Sequence, residues 1–497
     1  MRGTRDLGRI ASYHRGSGVA GIDERTWSDL DLDDVVARID TTRSGAGQQL
    51  LYHLVRTPLV DRDALAERER LLARAAGKRA ALTRELAPLA KLDLYDVHQL
   101  FRRELPDPPP SLLLFPIVSL LSLLAVASAF VVPQGIFALI VMAAVTFGIY
   151  YTYRRRIFEF IQPVTVLKRL LDAGERIAAI LGDDALQRAA RSLAPLRRAS
   201  RWLVMENLQA DNLAGFLYHY LNMFLLLDVN AFVFSLETIR TRVAELERIF
   251  AGVGMTDALL AVDSFRASAR TAIPEFTDTP RRAEFERLVH PLLDDGVAND
   301  LVLAGRSVLV TGSNMSGKTT FLRAAGVNAV LAQTIHTVCA DRWRAPLLRV
   351  RTSIGKADSL AEGRSYYLRE VDDIRALVVA AEGAEPHLFI VDELFRGTNT
   401  QERVAAGAAV LRHLARGPHL ALASTHDLEL LALLGDVYEF HHFRESIESG
   451  DLTFDYTLRP GPSSTRNAIA ILAMRDFPPR IVEEALRTLA DQYTVPS

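Results

Sequence analysis

Across 497 residues the chain has a single cysteine, Cys339, and no surplus of either charge. The lone cysteine excludes an intramolecular disulfide and fits a reducing compartment. It reads as a small buried side chain rather than a reactive thiol. Lys and Arg number 58 against 60 Asp and Glu, a net of −2. No global positive field therefore marks a polyanion binder, and any nucleic-acid affinity must come from a local patch or a shape that encloses a duplex. The first residues (MRGTRDLGRIASYHRGSG) carry basic side chains but no apolar leader core, so no signal peptide is expected. Internal repeats and low-complexity tracts are also missing. The length exceeds one ordinary core and implies two to four structural units.

Charge disappears altogether from Ser111 to Tyr153. That run splits at Val132-Pro133-Gln134-Gly135 into arms of 22 and 18 residues. At about 1.5 Å per residue these reach roughly 33 and 27 Å, enough for the ~30 Å hydrocarbon layer. Arg102, Arg103 and a proline-rich break from Pro106 to Pro110 precede the first arm. Arg154, Arg155 and Arg156 follow the second, with Tyr150, Tyr151 and Tyr153 just inside. Basic outer ends and an uncharged turn describe a transmembrane hairpin over 106–156 with both termini cytoplasmic, in a cytoplasmic membrane. The alternative is a buried helical hairpin in a soluble core. A second apolar patch, Leu213 to Phe234, contains His219, Asn222, Asp228 and Asn230, and reads as a packed amphipathic helix rather than a third span.

Elsewhere the pattern divides the chain. Residues 1–28 are expected to be a flexible lead and 29–105 a helical region, with apolar positions at Leu50, Leu51, Leu54 and Val55. Residues 157–271 continue helical, broken near Pro195 and Gly252–Gly254. From 272 to 497 short β-type runs (Ser307–Thr311, His387–Val391, Leu420–Ser424) alternate with helical stretches. Such alternation implies an α/β domain with a mainly parallel sheet.

The chemistry lies in that last region. The strand Ser307–Thr311 runs into Gly312-Ser313-Asn314-Met315-Ser316-Gly317-Lys318-Thr319 and a helical stretch beginning at Thr320. This is a P-loop in the setting the motif requires. Its glycines let successive backbone N–H groups turn toward phosphate oxygens, and the helix N-terminus adds partial positive charge. Lys318 is expected on the β- and γ-phosphates of ATP, and the Thr319 hydroxyl on Mg²⁺. Farther on, His387–Val391 ends in Asp392-Glu393. Beside a P-loop, Asp392 would hold Mg²⁺, through water, and Glu393 would orient and deprotonate the attacking water. The strand Leu420–Ser424 ends in Thr425-His426-Asp427, where His426 either senses the γ-phosphate or is a surface turn histidine.

Between these motifs stands Ile354-Gly355-Lys356-Ala357-Asp358-Ser359-Leu360-Ala361-Glu362-Gly363-Arg364-Ser365. It resembles the signature loop of the MutS family, with a D-x-L-A-x-G-x-S pattern. Thr311–Thr319, Asp392–Thr400 and Ser424-Thr425-His426 are similar in order and spacing to that family's other nucleotide motifs. Pro274-Glu275-Phe276, His290-Pro291 and Asn299-Asp300 resemble its lead-in. The likeness covers roughly 272–475 and, more weakly, 29–100, where Leu51–Arg70 looks like the start of the family's helical core; 154–270 would supply its lever helices. The resemblance implies an ABC/MutS-type ATPase fold preceded by an all-α core and lever region. It also implies Asn314 near the phosphates, Ser365 on the γ-phosphate of ATP held by a partner subunit, and hence a homodimer with composite ATP sites. Ser365 could equally cap the helix beginning at Tyr366. Ser313 and Ser316 stand where the family usually has Pro and Gly, Asp427 follows the histidine, and Asn399 sits in the acidic loop. Only about 28 residues precede the core, so the family's N-terminal mismatch-reading domain is not expected.

Two functional classes remain. One is a membrane-tethered, dimeric ATPase that couples ATP hydrolysis to DNA binding in mismatch-repair or recombination-related transactions. In that reading the Arg-rich lever region, including Arg197, Arg198 and Arg201, meets phosphates; otherwise those arginines form a solvated helix face. The other class is a membrane ATPase acting on a protein partner with no DNA role.

Overall fold

The computed structural model describes residues 6–101, 114–197, 213–313, 315–355, 366–395, 398–448, 451–462, 472 and 477–492. Two compact units are assembled from interleaved segments: 1–19, 40–53 and 70–264 form one, and 20–39, 54–69 and 265–497 the other. Among the described residues, the α-helices up to residue 268 are α1 (Leu7–Ser17), α2 (Glu24–Asp29), α3 (Leu32–Ile39), α4 (Gly45–Arg56), α5 (Arg62–Gly77), α6 (Arg79–Leu86), α7 (Leu114–Val131), α8 (Gly135–Leu181), α9 (Asp184–Ser192), α10 (Leu213–Leu225), α11 (Leu227–Thr241) and α12 (Val243–Ser268).

Within the flexible lead expected over 1–28, Leu7–Ser17 and Glu24–Asp29 are instead helical. Asp6 caps α1 by accepting from Arg9 N, and Gly18 closes it in the left-handed region at φ 66°. Ile10, Ala11 and Tyr13 are buried, with Tyr13 stacked on Phe250 of α12 at 5.5 Å between ring centroids. Partners from about 30 to more than 200 residues away hold this segment, so no local pattern announces it. In the same unit the buried Asp257 carboxylate accepts from Arg43 N, Ser44 N and Ser44 Oγ at 2.7–3.0 Å, fixing the chain that enters α4.

Helices α7 and α8 are long and apolar enough to cross a membrane. Their outward side chains, among them Leu120, Leu124, Phe137 and Ile140, are exposed. Ser122 and Thr146 are buried, and their hydroxyls donate to Val118 O and Ala143 O within their own helices. At the turn, Gly135 lies so close to the backbone of Ser128 that any Cβ would collide with it. Helix α8 continues past Arg156 to Leu181, so the expected segment boundary falls inside one helix. The patch read as a single amphipathic helix, Leu213–Phe234, is broken at Leu226 (φ 51°), where α10 and α11 meet at 60°.

The other unit holds a six-stranded sheet in the order β10-β9-β4-β8-β7-β6. Its strands are β4 (Ser307–Thr311), β6 (Arg349–Ile354), β7 (His387–Asp392), β8 (Leu420–Ser424), β9 (Tyr438–Glu448) and β10 (Asp451–Pro460). All pairings are parallel except β10 with β9. Every residue of β4, β7 and β8 is buried, as strands covered on both faces must be. A smaller sheet, not foreseen in the sequence, has the order β1-β5-β2-β3. It is built from β1 (Glu275–Phe276), β2 (Arg282–Leu288), β3 (Asn299–Ala304) and β5 (Arg342–Ala345). Helices α13 (Lys318–Thr334), α14 (Tyr366–Ala381), α15 (Thr400–Leu414), α16 (Glu429–Leu434) and α17 (Pro479–Gln492) complete the unit.

An edge strand presents unpaired backbone groups that need covering. At the β6 edge that role falls to α2. The Asp29 carboxylate, 1% exposed, accepts from Ile354 N and Thr352 Oγ1, both at 2.9 Å. Thr352 N donates to Thr26 Oγ1, and Arg25 Nη2 donates to Ile354 O at 3.2 Å. Replacing Asp29 by Ala leaves a buried N–H and a hydroxyl without acceptors. We expect Asp29→Ala to lower stability by about 2–4 kcal/mol, and Asp29→Asn, which keeps one acceptor, to lose less. Denaturant unfolding of the purified protein measures this, and equal midpoints for Asp29→Ala and the parent would refute it.

Candidate functional site

The site begins where β4 stops. Gly312 (φ 136°) and Gly317 (φ 101°) adopt backbone conformations that a side chain would strain. A Cβ on Gly317 would also press on the Tyr456 ring at 3.1 Å. This turn brings Lys318, 1% exposed, to the start of α13 with its ammonium inside the loop. Lys318 Nζ donates to Gly312 O and to Ser313 O, the latter at 2.9 Å, and lies 3.4 Å from His426 Nε2. Ser316 Oγ donates to Ser313 O at 2.7 Å. Ser313 Oγ is buried with no hydrogen-bond partner, and Met315 is exposed at the loop tip. Asn314 lies outside the described residues.

Three strand ends converge beside this loop. The Asp392 carboxylate, at the end of β7, accepts from Thr319 Oγ1 at 2.7 Å on one oxygen and from Ser424 Oγ of β8 on the other. Glu393 follows in the left-handed region at φ 54°, its N–H donating to Ser424 O. That turn aims its carboxylate at His426, with Oε1 2.6 Å from Nε2. The next residue but one, Phe395, also has positive φ, and its N–H donates at 2.6 Å to the buried Glu370 of α14. Asp427 takes a bidentate pair from Arg403 of α15 at 2.6 and 2.8 Å, fastening the loop that carries His426. Neither Glu370 nor Arg403 was singled out in the sequence, because each acts across a separation of 24 or 25 residues between elements.

The hydroxyl of Thr319 and the carboxylate of Asp392 are hard oxygen donors side by side, a set suited to Mg²⁺. Among the described residues no three His, Cys, Asp or Glu side chains converge on a metal position.

Next to the loop opens a cavity of about 500 Å³, walled by the β2–β3 connection, α13 and β10. Leu293, Val297, Phe321 and Tyr456 give it apolar surface, and Thr319 and Thr320 lie along it. Burial, aided by Arg323, holds the His290 imidazole at about 4, so the ring is neutral near pH 7. Tyr456 is placed by Asn299, whose amide donates to Tyr456 O at 3.0 Å and accepts from Leu458 N at 2.6 Å across a shift in the β9–β10 register. The sequence marked His290 and Asn299 only as a lead-in; their clustering with Tyr456 required the fold.

Other expected residues fall elsewhere. Lys356–Ser365, including Ser365, lies outside the described residues, as do Arg198 and Arg201. Arg197 is paired with Glu175, and its Nε lies 3.7 Å from Asp172. Cys339 is buried, and burial pushes its thiol up to about 12, as expected of an inert side chain.

Residues 308–492 match the family model described as MutS domain V. The DNA mismatch repair protein MutS of Thermus thermophilus is 34% identical over 239 residues, 47% of this chain and 29% of that protein. MutS of Thermus aquaticus is 33% identical over 237 residues, 46% of this chain and 29% of its own length. DNA mismatch repair protein MutS 2 of Haloarcula marismortui is 36% identical over 205 residues, 40% of this chain and 21% of its own. The chain thus spans less than a third of the length of these relatives. Over that shared part, carrying the P-loop, the acid pair and the histidine, it is homologous to the ATPase domain of the MutS family.

Proposed function

We propose that this chain is a membrane-tethered ATPase that hydrolyses ATP as a homodimer with composite sites and couples hydrolysis to DNA binding. The observation that carries the ATPase reading is the contact chain Lys318–His426–Glu393 beside the Thr319–Asp392 pair. It gathers a cation, a hydrogen-bonding ring, a carboxylate base and a metal-ligand pair around one P-loop. The DNA reading draws on the relatives named DNA mismatch repair protein.

In this reading the backbone N–H groups from Gly312 to Thr319 cradle the phosphates, and the adjoining cavity receives the nucleoside. Ser313, Asn314, Met315, Ser316 and Gly317 form the wrap, and Thr320 lines the nucleoside side. Lys318 exchanges its carbonyl partners for β- and γ-phosphate oxygens, a charge-assisted contact stronger than a neutral one. Thr319 and Asp392 hold Mg²⁺, which when bound offsets phosphate charge. Glu393 takes a proton from the attacking water, and His426, already bonded to Glu393, relates the base to the γ-phosphate. Ser365 of one subunit completes the site of the other.

A second reading, a membrane ATPase acting on a protein partner, is favoured by the two apolar helices α7 and α8. DNA binding by the full-length protein in detergent, across homoduplex, mismatched and four-way substrates, separates the two. The DNA reading expects affinity that falls steeply with salt and little preference for a single mismatch. No binding to any substrate at low salt would leave the protein-partner reading.

The site assignment makes two sharper demands. Lys318→Ala is expected to abolish ATP binding, whereas Glu393→Gln binds ATP and turns it over at least about a hundredfold more slowly. Equal loss of binding in both variants, measured by a fluorescent nucleotide, would reverse the roles. Ser365→Ala and Lys318→Ala proteins are each expected to be inactive alone. Mixed, their heterodimers contain one site lacking both groups and one intact site, so part of the hydrolysis returns. Heterodimers with no recovered activity would remove Ser365 from the partner's site.

A further inference from the structure

Helix α10 carries its polarity the wrong way round for a protein in water, and α11 does so at Phe234, beside the bend. On α10 the exposed positions Leu217, Tyr220 and Leu221 follow i, i+3, i+4 spacing and form one apolar stripe, each more than half exposed. Among the described side chains of α10 the polar Asn222 is buried, 1% exposed, and His219 is exposed beside the stripe. Helix α10 contains no Asp, Glu, Lys or Arg. On α11 the outward positions run from Phe234 through Glu237 to Arg240, apolar near the bend and charged away from it.

The bend itself is finished as a break in a helix must be where water is excluded. Leu225 O accepts from Ser119 Oγ of α7 at 2.7 Å, and Leu226 O accepts from Asn230 Nδ2 at 2.9 Å. Asn230 also donates to Ser119 Oγ. Asp228 N donates to Asn222 Oδ1 at 2.9 Å, and the Asn222 amide donates to the Asp228 carboxylate. Leu226 is fully buried in an apolar cluster with Phe115, Tyr150, Phe232 and Val233. Ser119 is the sixth residue of α7, about 8 Å along the hairpin from its first residue. The apex therefore sits beside the hairpin roughly one and a half turns from its foot. The ring of His219 lies 6.1 Å from that of Tyr150 of α8.

We propose that α10 and α11 form a re-entrant elbow seated in the lipid leaflet at the open foot of the α7–α8 hairpin. The Leu217, Tyr220 and Leu221 stripe meets acyl chains and the headgroup boundary, continuing the exposed apolar surface of the hairpin. Internal hydrogen bonds close the broken backbone at Leu226, and the charged end of α11 returns to water. The inference depends on the hairpin being membrane-embedded and is independent of what the ATPase acts upon.

Site-directed spin labels on the full-length protein test it. In a Cys339→Ser background, labels go at Leu217→Cys and Leu221→Cys, with Leu124→Cys on the hairpin and Val302→Cys on β3 as references. In phosphatidylcholine liposomes, positions 217 and 221 are expected to be more accessible to oxygen than to a water-soluble nickel chelate, as at 124. Position 302 is expected to show the reverse. Chelate-dominated accessibility at 217 and 221, with 124 lipid-like, would place α10 in water and overturn the elbow. Low accessibility to both reagents, with spin–spin broadening relieved by unlabelled protein, would show a second copy covering the face and overturn it equally. A water-like reading at 124 would remove the hairpin and the elbow together.

Discussion

The Asp392 carboxylate is the knot on which the geometry of the candidate site depends. One oxygen takes the hydroxyl of Thr319 at the head of α13, and the other that of Ser424 at the end of β8. It thus joins the P-loop helix to two neighbouring parallel strands. Being 3% exposed, it must have such donors, because an ionised carboxylate deprived of them in the interior is costly. Once β7 and β8 end in register here, the residues that follow each strand, Glu393 and Thr425-His426, emerge side by side. Their 2.6 Å contact follows from strand pairing combined with the left-handed turn at Glu393. Backbone strain of this kind persists only where surrounding contacts over-determine it. The Glu393 N–H on Ser424 O and the Phe395 N–H on Glu370 supply those contacts.

How far the sequence reveals this site depends on the range of each cause. Strands β4, β7 and β8 were readable because strands buried on both faces are uninterrupted apolar runs, each ending in its motif. The small sheet was not. Its β2, RAEFERL, alternates charged and apolar residues as half-covered strands do, and resembles a charged helix in isolation. Tyr456 was invisible for a different reason. Its approach to Gly317 depends on a register shift in β10 and on Asn299, 157 residues earlier in the chain. The lead over 1–28 failed similarly: α1 and α2 are short helices whose burial is supplied by distant partners.

Membrane and interior impose opposite sorting on side chains, and both kinds occur in one unit. Around Tyr13, Phe250 and Ile10 apolar groups face inward, as burial from water demands. In α7, in α10 and in the apolar span of α8 up to Tyr153, exposed large aliphatic side chains such as Leu120, Leu124, Ile140, Leu217 and Leu221 face outward, while Ser122, Thr146 and Asn222 are inward with hydrogen-bond partners. In a hydrocarbon surround, polar atoms must find partners within the protein, here in their own helix or across a helix–helix contact. The break at Leu226 then becomes intelligible: Leu225 O, Leu226 O and Asp228 N are met by side chains from α7, α11 and α10 respectively.

The covered edge of the main sheet bears on the stems of the Lys356–Ser365 segment. Its upstream stem, Ile354, is held at both N–H and C=O by Asp29 and Arg25. The same Arg25 reaches Asp373 on α14, the helix that follows the segment, at 2.7 Å. Helix α14 is tied a second time through Glu370 to Phe395, two residues beyond Glu393. A displacement of α14 therefore cannot leave the acidic turn unchanged. It either carries Phe395 with it, altering the strained turn that aims Glu393, or breaks a buried charge-assisted hydrogen bond. Arg25 opposes the same displacement from the other end, since it spans both stems. The arrangement gives Glu393, Ile354 and α14 a shared mechanical support, built partly from a helix that the chain forms some 330 residues earlier.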